Sequence, residues 1–285
     1  TGSQSALFGS GAAGGIVYLE SVLGQDASPT TQALLSVGSF VRYMGASSVR
    51  FGHSNYKGAI KVYTDKADND FDYQADYIDA KTKVVTHIDT TQTNAGQRQY
   101  GAMSDNRLSI GKRQTLKINL WYHECERQIA PTVKDIATKK PTDARQNDKN
   151  YRTALQWNYR QATWDLAVRT GYFTLQTNYA KPVNNDKSTT NGETWQNEAE
   201  VTWFAVKNVT LNGGLHHSYE SAHSTSYNAT HYRNREAAFG SARYFAPVTN
   251  TRLTANARVE LVDAGNYEPT FTVGVDQSIW GPLSF

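Results

Sequence analysis

Glu198 and Glu200 are the residues of this sequence whose type and spacing are most suited to acid–base chemistry. In an extended strand, side chains two residues apart share one face and lie about 7 Å apart. Two carboxylates at such a separation could hydrolyse a glycoside if one of them were a protonated acid. Nothing in the neighbouring sequence marks either carboxylate as that acid. The pair therefore favours a structural role on a polar strand face.

A second group with chemical potential is the segment 123–126, which contains His-Glu-Cys-Glu. In a strand, His123 and Cys125 would share one face and the two glutamates the other. A cysteine nucleophile also needs an orienting partner, and the sequence identifies none. We therefore predict the end of a strand here and no catalytic residue. The rings of His216 and His217 would point to opposite faces, so we do not expect them to chelate a metal.

An acidic stretch between residues 65 and 79 could bind a cation. Carboxylates at short spacing suit Ca²⁺, which takes about six to eight oxygen ligands. The spacing of an EF-hand is absent, because no glycine holds its sixth position and no glutamate its twelfth. Asp68, Asp70 and Asp72 are therefore candidate ligands of a structural calcium ion, and a solvated acidic loop is the alternative. No other cofactor is expected.

The segments that must position these residues alternate apolar and polar side chains. Leu116, Ile118 and Leu120, for example, alternate with Lys117 and Asn119. Successive side chains of a strand point to opposite faces, so each segment has one apolar and one polar face. The pattern predicts roughly a dozen strands. Their length of about 9–15 residues exceeds the ~5–6 residues usual in globular sheets and suits strands that cross a membrane.

The connections between the predicted strands alternate between short and long. Short joints are predicted at residues 109–113, 160–163, 205–209 and 247–251, and long polar stretches at residues 65–97, 128–150, 180–193 and 221–232. Bacterial outer-membrane barrels have short periplasmic turns and long external loops. The fold class predicted from this pattern is all-β, an antiparallel transmembrane β-barrel.

Composition agrees with that fold and excludes others. The 285 residues include 17 Tyr, 10 Phe and 6 Trp, and no segment approaches the ~18 continuous apolar residues of a membrane helix. Trp157, Tyr159, Trp164 and Trp203 lie near short joints, where an aromatic girdle at the membrane surface would lie. The net charge of +3 has mixed signs throughout, so no nucleic-acid partner is expected. The single cysteine, Cys125, excludes an internal disulfide bond.

Residues 5–17 form a glycine-rich segment that precedes an apolar run. A phosphate-binding loop would instead follow a strand and end in Lys-Ser or Lys-Thr. The segment closely resembles the last part of the plug domain of TonB-dependent outer-membrane receptors. The residues that carry this resemblance are Leu7, Phe8, Gly9, Gly11, Ala12, Gly14 and Gly15. Shorter phrases, including residues 68–73 and 148–152, resemble cobalamin-receptor-like members of the family from Bacteroidetes-type bacteria.

The resemblance implies a domain organisation and a function. Residues 1–30 would be the C-terminal part of a plug domain with its linker, and residues 31–285 the N-terminal half of a barrel that closes with 22 strands. The implied function is TonB-dependent active uptake of a scarce ligand across the bacterial outer membrane. A corrinoid such as cobalamin is the first-ranked ligand, and a ferric siderophore or other iron chelate is the alternative. TonB would act through a segment upstream of residue 1.

In such a barrel the polar strand faces would line the lumen and the apolar faces would contact outer-membrane lipid. The candidate lumen residues are Arg152, Arg160, Arg169, Glu198, Glu200, Arg258 and Glu260. Two other classes remain open. A passive porin would need no plug, which the glycine-rich segment argues against. A soluble β-rich glycan-binding or hydrolytic protein has no reason to alternate short and long connections.

Overall fold

A computed structural model describes residues 29–140, 142–226, 229–263, 265–266, 269–280 and 283–284. They form a nearly all-β structure that contains one large antiparallel sheet of twelve long strands. The predicted all-β class and the predicted number of strands are therefore confirmed. The glycine-rich segment that carries the plug motif lies outside the described residues.

The strands follow one another through most of the chain. In order they are β1 (Thr30–Gly38), β2 (Arg42–His53), β3 (Tyr56–Ala67), β4 (Asp72–Ile78), β5 (Val85–Thr91), β6 (Gln97–Ile110), β7 (Gln114–Gln128), β8 (Arg145–Arg160), β9 (Trp164–Lys181), β10 (Asp186–Val206), β11 (Val209–Ser224), β12 (Ala229–Ala246), β13 (Thr251–Val262), β14 (Gly265–Asn266), β15 (Thr270–Trp280) and β16 (Leu283–Ser284).

Neighbouring strands in the sequence are neighbours in the sheet, except where β3 pairs with β6 and where β13 pairs with β15. Strand β3 pairs with β6, because β4 and β5 form a separate hairpin between them. The short β14 pairs with β13 beside the main path of the sheet. Within the described residues, β1 and β16 stand at the two ends of the sheet. The whole arrangement is an antiparallel meander, which needs only local connections.

Tight turns join the strands at one end of the sheet, at residues 54–55, 111–113, 161–163, 207–208 and 247–250. The last four fall where the sequence predicts short connections. Gly111, Asn208 and Asn250 adopt positive φ angles in three of them. Glycine and asparagine tolerate that conformation better than other residues do. The turn chemistry therefore explains why these connections are short.

The opposite end of the sheet carries the long connections, but only two of the four predicted ones are long. Residues 68–96 and 129–144 leave the sheet, whereas β9 and β10 are joined through the short 3-10 turn Pro182–Asn184. Most of the predicted loop at residues 180–193 is strand, and so is most of that at residues 221–232. Polar residues continue as strand here because every residue finds a cross-strand partner, as Thr190 does opposite Ser224.

The connection at residues 129–144 contains the short helix α1 (Val133–Ala137), which the alternation pattern does not predict. Thr132 caps the helix by accepting a hydrogen bond from the Asp135 backbone, and the Asp135 side chain accepts one from the Thr132 backbone. The Thr132 hydroxyl also donates to Asp135 Oδ2 at 2.6 Å, and this hydrogen bond, together with the one from the Thr132 backbone, holds the pKa of Asp135 below its usual range. Among the described residues, no helix is long and apolar enough to cross a membrane.

The large sheet buries polar side chains on one face and exposes apolar side chains on the other, which is the reverse of a sheet in a soluble protein. Asp105, Asn256 and Arg258 lie on the face that we call the polar face, and their exposed fractions are only 3%, 4% and 7%. On the opposite, apolar face, Leu215 is 65% exposed and Val273 is 79% exposed. Exposed apolar surface on this scale marks a face that contacts an apolar partner or medium.

Two rows of aromatic side chains border the apolar face. Trp157, Tyr159, Trp164 and Trp203 lie together beside the short turns, with the Tyr159 and Trp164 ring centroids 5.4 Å apart. The second row, which the sequence analysis did not identify, includes Tyr122, Tyr151, Tyr172, Trp195 and Tyr219. Trp195 and Trp203 are separated by eight residues on one strand. At ~3.3 Å per residue and a ~40° tilt, the rows are ~20 Å apart along the barrel axis.

Candidate functional site

The seven residues predicted to line a lumen all lie on the polar face. The cross-strand pairing shows this directly. Residues that are paired on neighbouring strands project to the same side of the sheet, and Arg169 is paired with Glu198. The seven residues are Arg152, Arg160, Arg169, Glu198, Glu200, Arg258 and Glu260. That this face lines a lumen stays a prediction.

Arg169 connects the two glutamates that the sequence analysis considered for acid–base chemistry. Its Nη1 atom donates to Glu198 Oε1 and to Glu200 Oε2, at 2.6 Å in each case. His216 Nδ1 lies 3.6 Å from the second oxygen of Glu198, and Asn212 donates to Glu200. Both carboxylates are therefore acceptors in one charge-assisted network. This arrangement suits a structural role.

A second ion-pair network crosses β11, β12 and β13. Arg258 Nε donates to Glu260 Oε2 at 3.1 Å, and Arg235 Nη1 lies 3.5 Å from the other oxygen of Glu260. Arg233 Nε donates to Glu220 at 3.0 Å. Buried charges are tolerated when they are paired in this way. The sequence analysis did not select Arg233, Arg235 or Glu220, although each has the strand parity of the polar face.

A third cluster on the polar face surrounds Asp105, which is almost completely buried. Lys61 Nζ lies 3.2 Å from its carboxylate, and Asn119 Nδ2 donates to it at 2.6 Å. Closer to the long connections, Arg42 donates to both oxygens of Asp65, at 3.1 and 2.8 Å. The polar face therefore carries its charges largely as opposite-sign contacts between neighbouring strands.

Arg152 and Arg160 lie on the same strand but in different surroundings. Arg160 is next to a short turn, and its Nε atom lies 3.5 Å from Asp165 in an exposed contact that contributes little. The guanidinium of Arg152 lies over the indole of Trp121, 4.3 Å from the ring centroid. Such a contact is a cation–π interaction.

A concavity with a volume of about 570 Å³ lies on the polar face beside Arg152. Arg152, Phe173, Thr194, Glu220 and Arg233 line part of it, and they are opposite one another across five neighbouring strands. Small-molecule sites typically have volumes of about 300–1,000 Å³. The two guanidinium groups, the carboxylate and the aromatic ring could bind a charged ligand. This row is the candidate functional site.

The calcium candidates do not converge. Asp68 forms an ion pair with Lys66 at 3.2 Å, Asp72 accepts a hydrogen bond from Thr91 at 2.6 Å, and Asp70 is exposed. Within the part of the chain that the structure describes, no group of three or more His, Cys, Asp or Glu side chains could hold a metal ion. Calcium binding at this loop stays a prediction.

The residues of the segment 123–126 separate onto two faces, as their spacing indicates. His123 lies on the polar face, where its Nδ1 atom is 2.7 Å from the Tyr63 hydroxyl. Glu124 lies on the apolar face at the second aromatic row. It accepts hydrogen bonds from Tyr100 at 2.6 Å, from Asn147 at 2.9 Å and from the Tyr122 hydroxyl. Glu124 therefore anchors tyrosines of that row.

The sequence matches no protein-family model and no curated protein. The structure, however, is similar to solved outer-membrane proteins. A mutant of the ferric enterobactin receptor PfeA from Pseudomonas aeruginosa has a TM-score of 0.74 at 13% identity, over 99% of this chain and 46% of that one. The iron transporter FrpB from Neisseria meningitidis has a TM-score of 0.66 at 10% identity, over 90% of this chain and 44% of that one.

The outer-membrane transporter YddB from Escherichia coli is also similar, with a TM-score of 0.61 at 13% identity. That match covers 84% of this chain and 36% of the transporter. The chain thus spans about a third to a half of the length of the solved structures it matches. Similarity at such low identity establishes the β-sheet fold shared with these barrels.

Proposed function

We propose that this chain is part of a TonB-dependent receptor that imports a scarce small-molecule ligand across the bacterial outer membrane. The observation that carries the proposal is the reversed placement of the two faces. An exposed apolar face lies between two aromatic rows, and the opposite face buries paired charges. This arrangement suits a barrel wall with lipid outside and a polar interior. The shared fold with outer-membrane receptors supports the same assignment.

The domain organisation and partners follow from this proposal. Residues 31–285 would form barrel wall, and residues 1–30 would be the end of a plug. Outer-membrane lipid would contact the apolar face, and TonB would be the partner that drives uptake. Because the short turns of such barrels face the periplasm, the connections at residues 68–96 and 129–144 would lie outside the cell.

We rank a ferric chelate first among ligands and a corrinoid second, which reverses the order that the sequence phrases favour. The concavity on the polar face presents the guanidinium group of Arg152 beside Arg233, which is paired with Glu220. Guanidinium groups suit anionic oxygen ligands, which many ferric chelates offer. Two of the solved structures with this fold are named for ferric enterobactin and for iron transport.

Fractionation tests the membrane assignment and uptake tests the ligand. The full-length gene product should sediment with the outer membrane and should migrate faster on gels before heating than after it. Cells that carry it should accumulate ferric chelates or cobalamin at nanomolar concentrations. Extraction in soluble form from the periplasm, or wild-type cells that accumulate neither ligand above a deletion strain, would contradict the proposal.

The same uptake assay separates an active receptor from a passive porin. Uptake through a TonB-dependent receptor requires the energised inner membrane and saturates at low ligand concentration. It should therefore be lost in a strain without TonB and after addition of a protonophore. Uptake that is linear in ligand concentration and unaffected by either treatment would favour the porin.

A further inference from the structure

We propose that Tyr63, Trp121, His123 and Arg152 form a platform on the polar face that binds a planar aromatic anion. A catecholate group of a ferric chelate is such an anion. The proposal rests on the uptake function proposed above and names the chemical group of the ligand that this chain recognises.

The four side chains lie on three strands of the polar face. Trp121 and Arg152 are opposite each other in the pairing of β7 with β8, and the guanidinium lies 4.3 Å from the indole centroid. The Tyr63 and His123 rings are stacked, with centroids 6.0 Å apart and an interplanar angle of 24°. The platform thus combines a stacked pair of rings with a guanidinium over an indole.

A chain of hydrogen bonds fixes the orientation of the rings. Trp121 Nε1, which can only donate, donates to the Tyr63 hydroxyl at 3.2 Å. The same hydroxyl is 2.7 Å from His123 Nδ1. With Trp121 donating to this hydroxyl, the hydroxyl proton is free to be donated to Nδ1, and the ring then carries its N–H on Nε2. His123 would then offer a second N–H donor at the platform.

Gly101 allows the Tyr63 ring to lie against the neighbouring strand. A Cβ atom at this position would be 2.5 Å from the Tyr63 ring and 2.7 Å from the backbone oxygen of Tyr122. No real side chain tolerates such contacts without displacement. The absence of a side chain at Gly101 therefore leaves the space that the Tyr63 ring occupies beside His123.

Arg152 supplies the charge that an anion would bind. Its side chain is exposed, and among the described residues no carboxylate forms an ion pair with it. Arg233, in the same row, differs because it is paired with Glu220. A guanidinium stacked on an indole keeps its N–H edge available for bidentate contact with two oxygens. Phe173, opposite Arg152 in β9, adds an aromatic edge to the same concavity.

Equilibrium binding to the full-length protein in outer-membrane vesicles tests the platform. The probes are the ferric complex of 2,3-dihydroxybenzoate, ferric citrate as a non-aromatic anionic chelate, and cyanocobalamin. Arg152→Ala should weaken binding of the aromatic chelate about tenfold or more, as expected for loss of a charge-assisted hydrogen bond. Trp121→Phe should weaken it by a smaller factor, since a ring remains. Arg107→Ala, which removes another exposed arginine of the polar face near a short turn, is the matched control and should bind normally.

The outcomes separate failure of the platform from failure of the uptake function. If the wild-type protein binds the aromatic chelate and Arg152→Ala binds it equally well, the platform is wrong and the uptake function stands. If Trp121→Phe weakens ferric citrate as much as it weakens the aromatic chelate, recognition of the aromatic group is wrong. If the wild-type protein binds none of the three probes, the proposed function is itself contradicted. Heat-modifiable migration of each variant confirms that it folds.

Discussion

Replacing Leu215 by arginine is expected to destabilise the protein strongly, although the leucine is mostly exposed. Leu215 lies on the apolar face and pairs with Ala199. Ala199 is midway along β10 between Trp195 and Trp203, which belong to the two aromatic rows. Position 215 is therefore at the middle of the apolar band, where a lipid bilayer would be driest.

The size of the effect depends on the medium that contacts this face. An arginine at the bilayer midplane of a β-barrel costs ~2–4 kcal/mol. In water, substitution of an exposed surface residue changes the free energy of unfolding by only ~0.5 kcal/mol in either direction. We expect Leu215→Arg to lower the free energy of unfolding in lipid by ~2–4 kcal/mol. Val248→Arg is the matched control, because Val248 is 97% exposed in the short turn between β12 and β13.

The assay is reversible guanidinium unfolding of the full-length protein in phosphatidylcholine vesicles, followed by tryptophan fluorescence. The difference between the two arginine variants is the informative quantity, since both introduce the same charge at an exposed apolar position. Equal, small effects of the two substitutions in vesicles would refute the assignment of the apolar face to lipid. A large effect of Val248→Arg alone would refute the placement of Leu215 at the middle of the apolar band and of Val248 outside it.

Three further substitutions test local features. Arg169→Met removes the arginine shared by Glu198 and Glu200 and should cost ~1–2 kcal/mol of unfolding free energy, less than loss of a fully buried pair because the groups are about one-third exposed. Replacing both glutamates by Gln in the same variant should restore most of that free energy. The pKa of Asp135 is lowered in the folded protein, so the ionised side chain stabilises α1 above the unfolded-state pKa, and this stabilisation is lost as the pH falls. Pepsin cleavage within residues 129–144 should therefore be slower in the wild-type protein than in Asp135→Asn above about pH 4, and the two rates should become equal at lower pH. Gly101→Ala should cost ~1–3 kcal/mol in chemical unfolding, and adding Tyr63→Ala should recover only part, because the contact with a backbone oxygen remains.

Much of the fold could be predicted because strand alternation is a local property. The parity of Arg169, Glu198 and Glu200 in the sequence decides which side chains share a face, and the structure brings these three into direct contact. The short turns could be predicted for the same reason, since Gly111 and Asn208 mark them locally. Antiparallel neighbours joined by such turns leave little freedom in strand order.

Other features depend on partners that are distant in the sequence. Tyr63 and His123 meet because β3 pairs with β6 and β6 with β7, and no local pattern indicates that contact. The strand extensions at residues 186–193 and 221–224 carry polar residues on both faces, so periodicity alone cannot distinguish them from loops. The helix α1 has a capping signal in Thr132 and Asp135, but its five residues are too few for a helical period to emerge.

Alternation also leaves undecided which face meets solvent. The same pattern of apolar and polar residues describes a one-sided soluble sheet and a membrane wall. The soluble sheet and the membrane wall differ in whether the charges of the polar face need to be paired. A solvated face has no need to pair them, whereas Arg258 and Glu260 are buried in contact with each other and Asp105 is buried against Lys61 and Asn119. Such pairing compensates the loss of hydration on a face turned away from bulk water. The apolar face, which offers Leu215 and Val273 to its surroundings, is then left for lipid to cover.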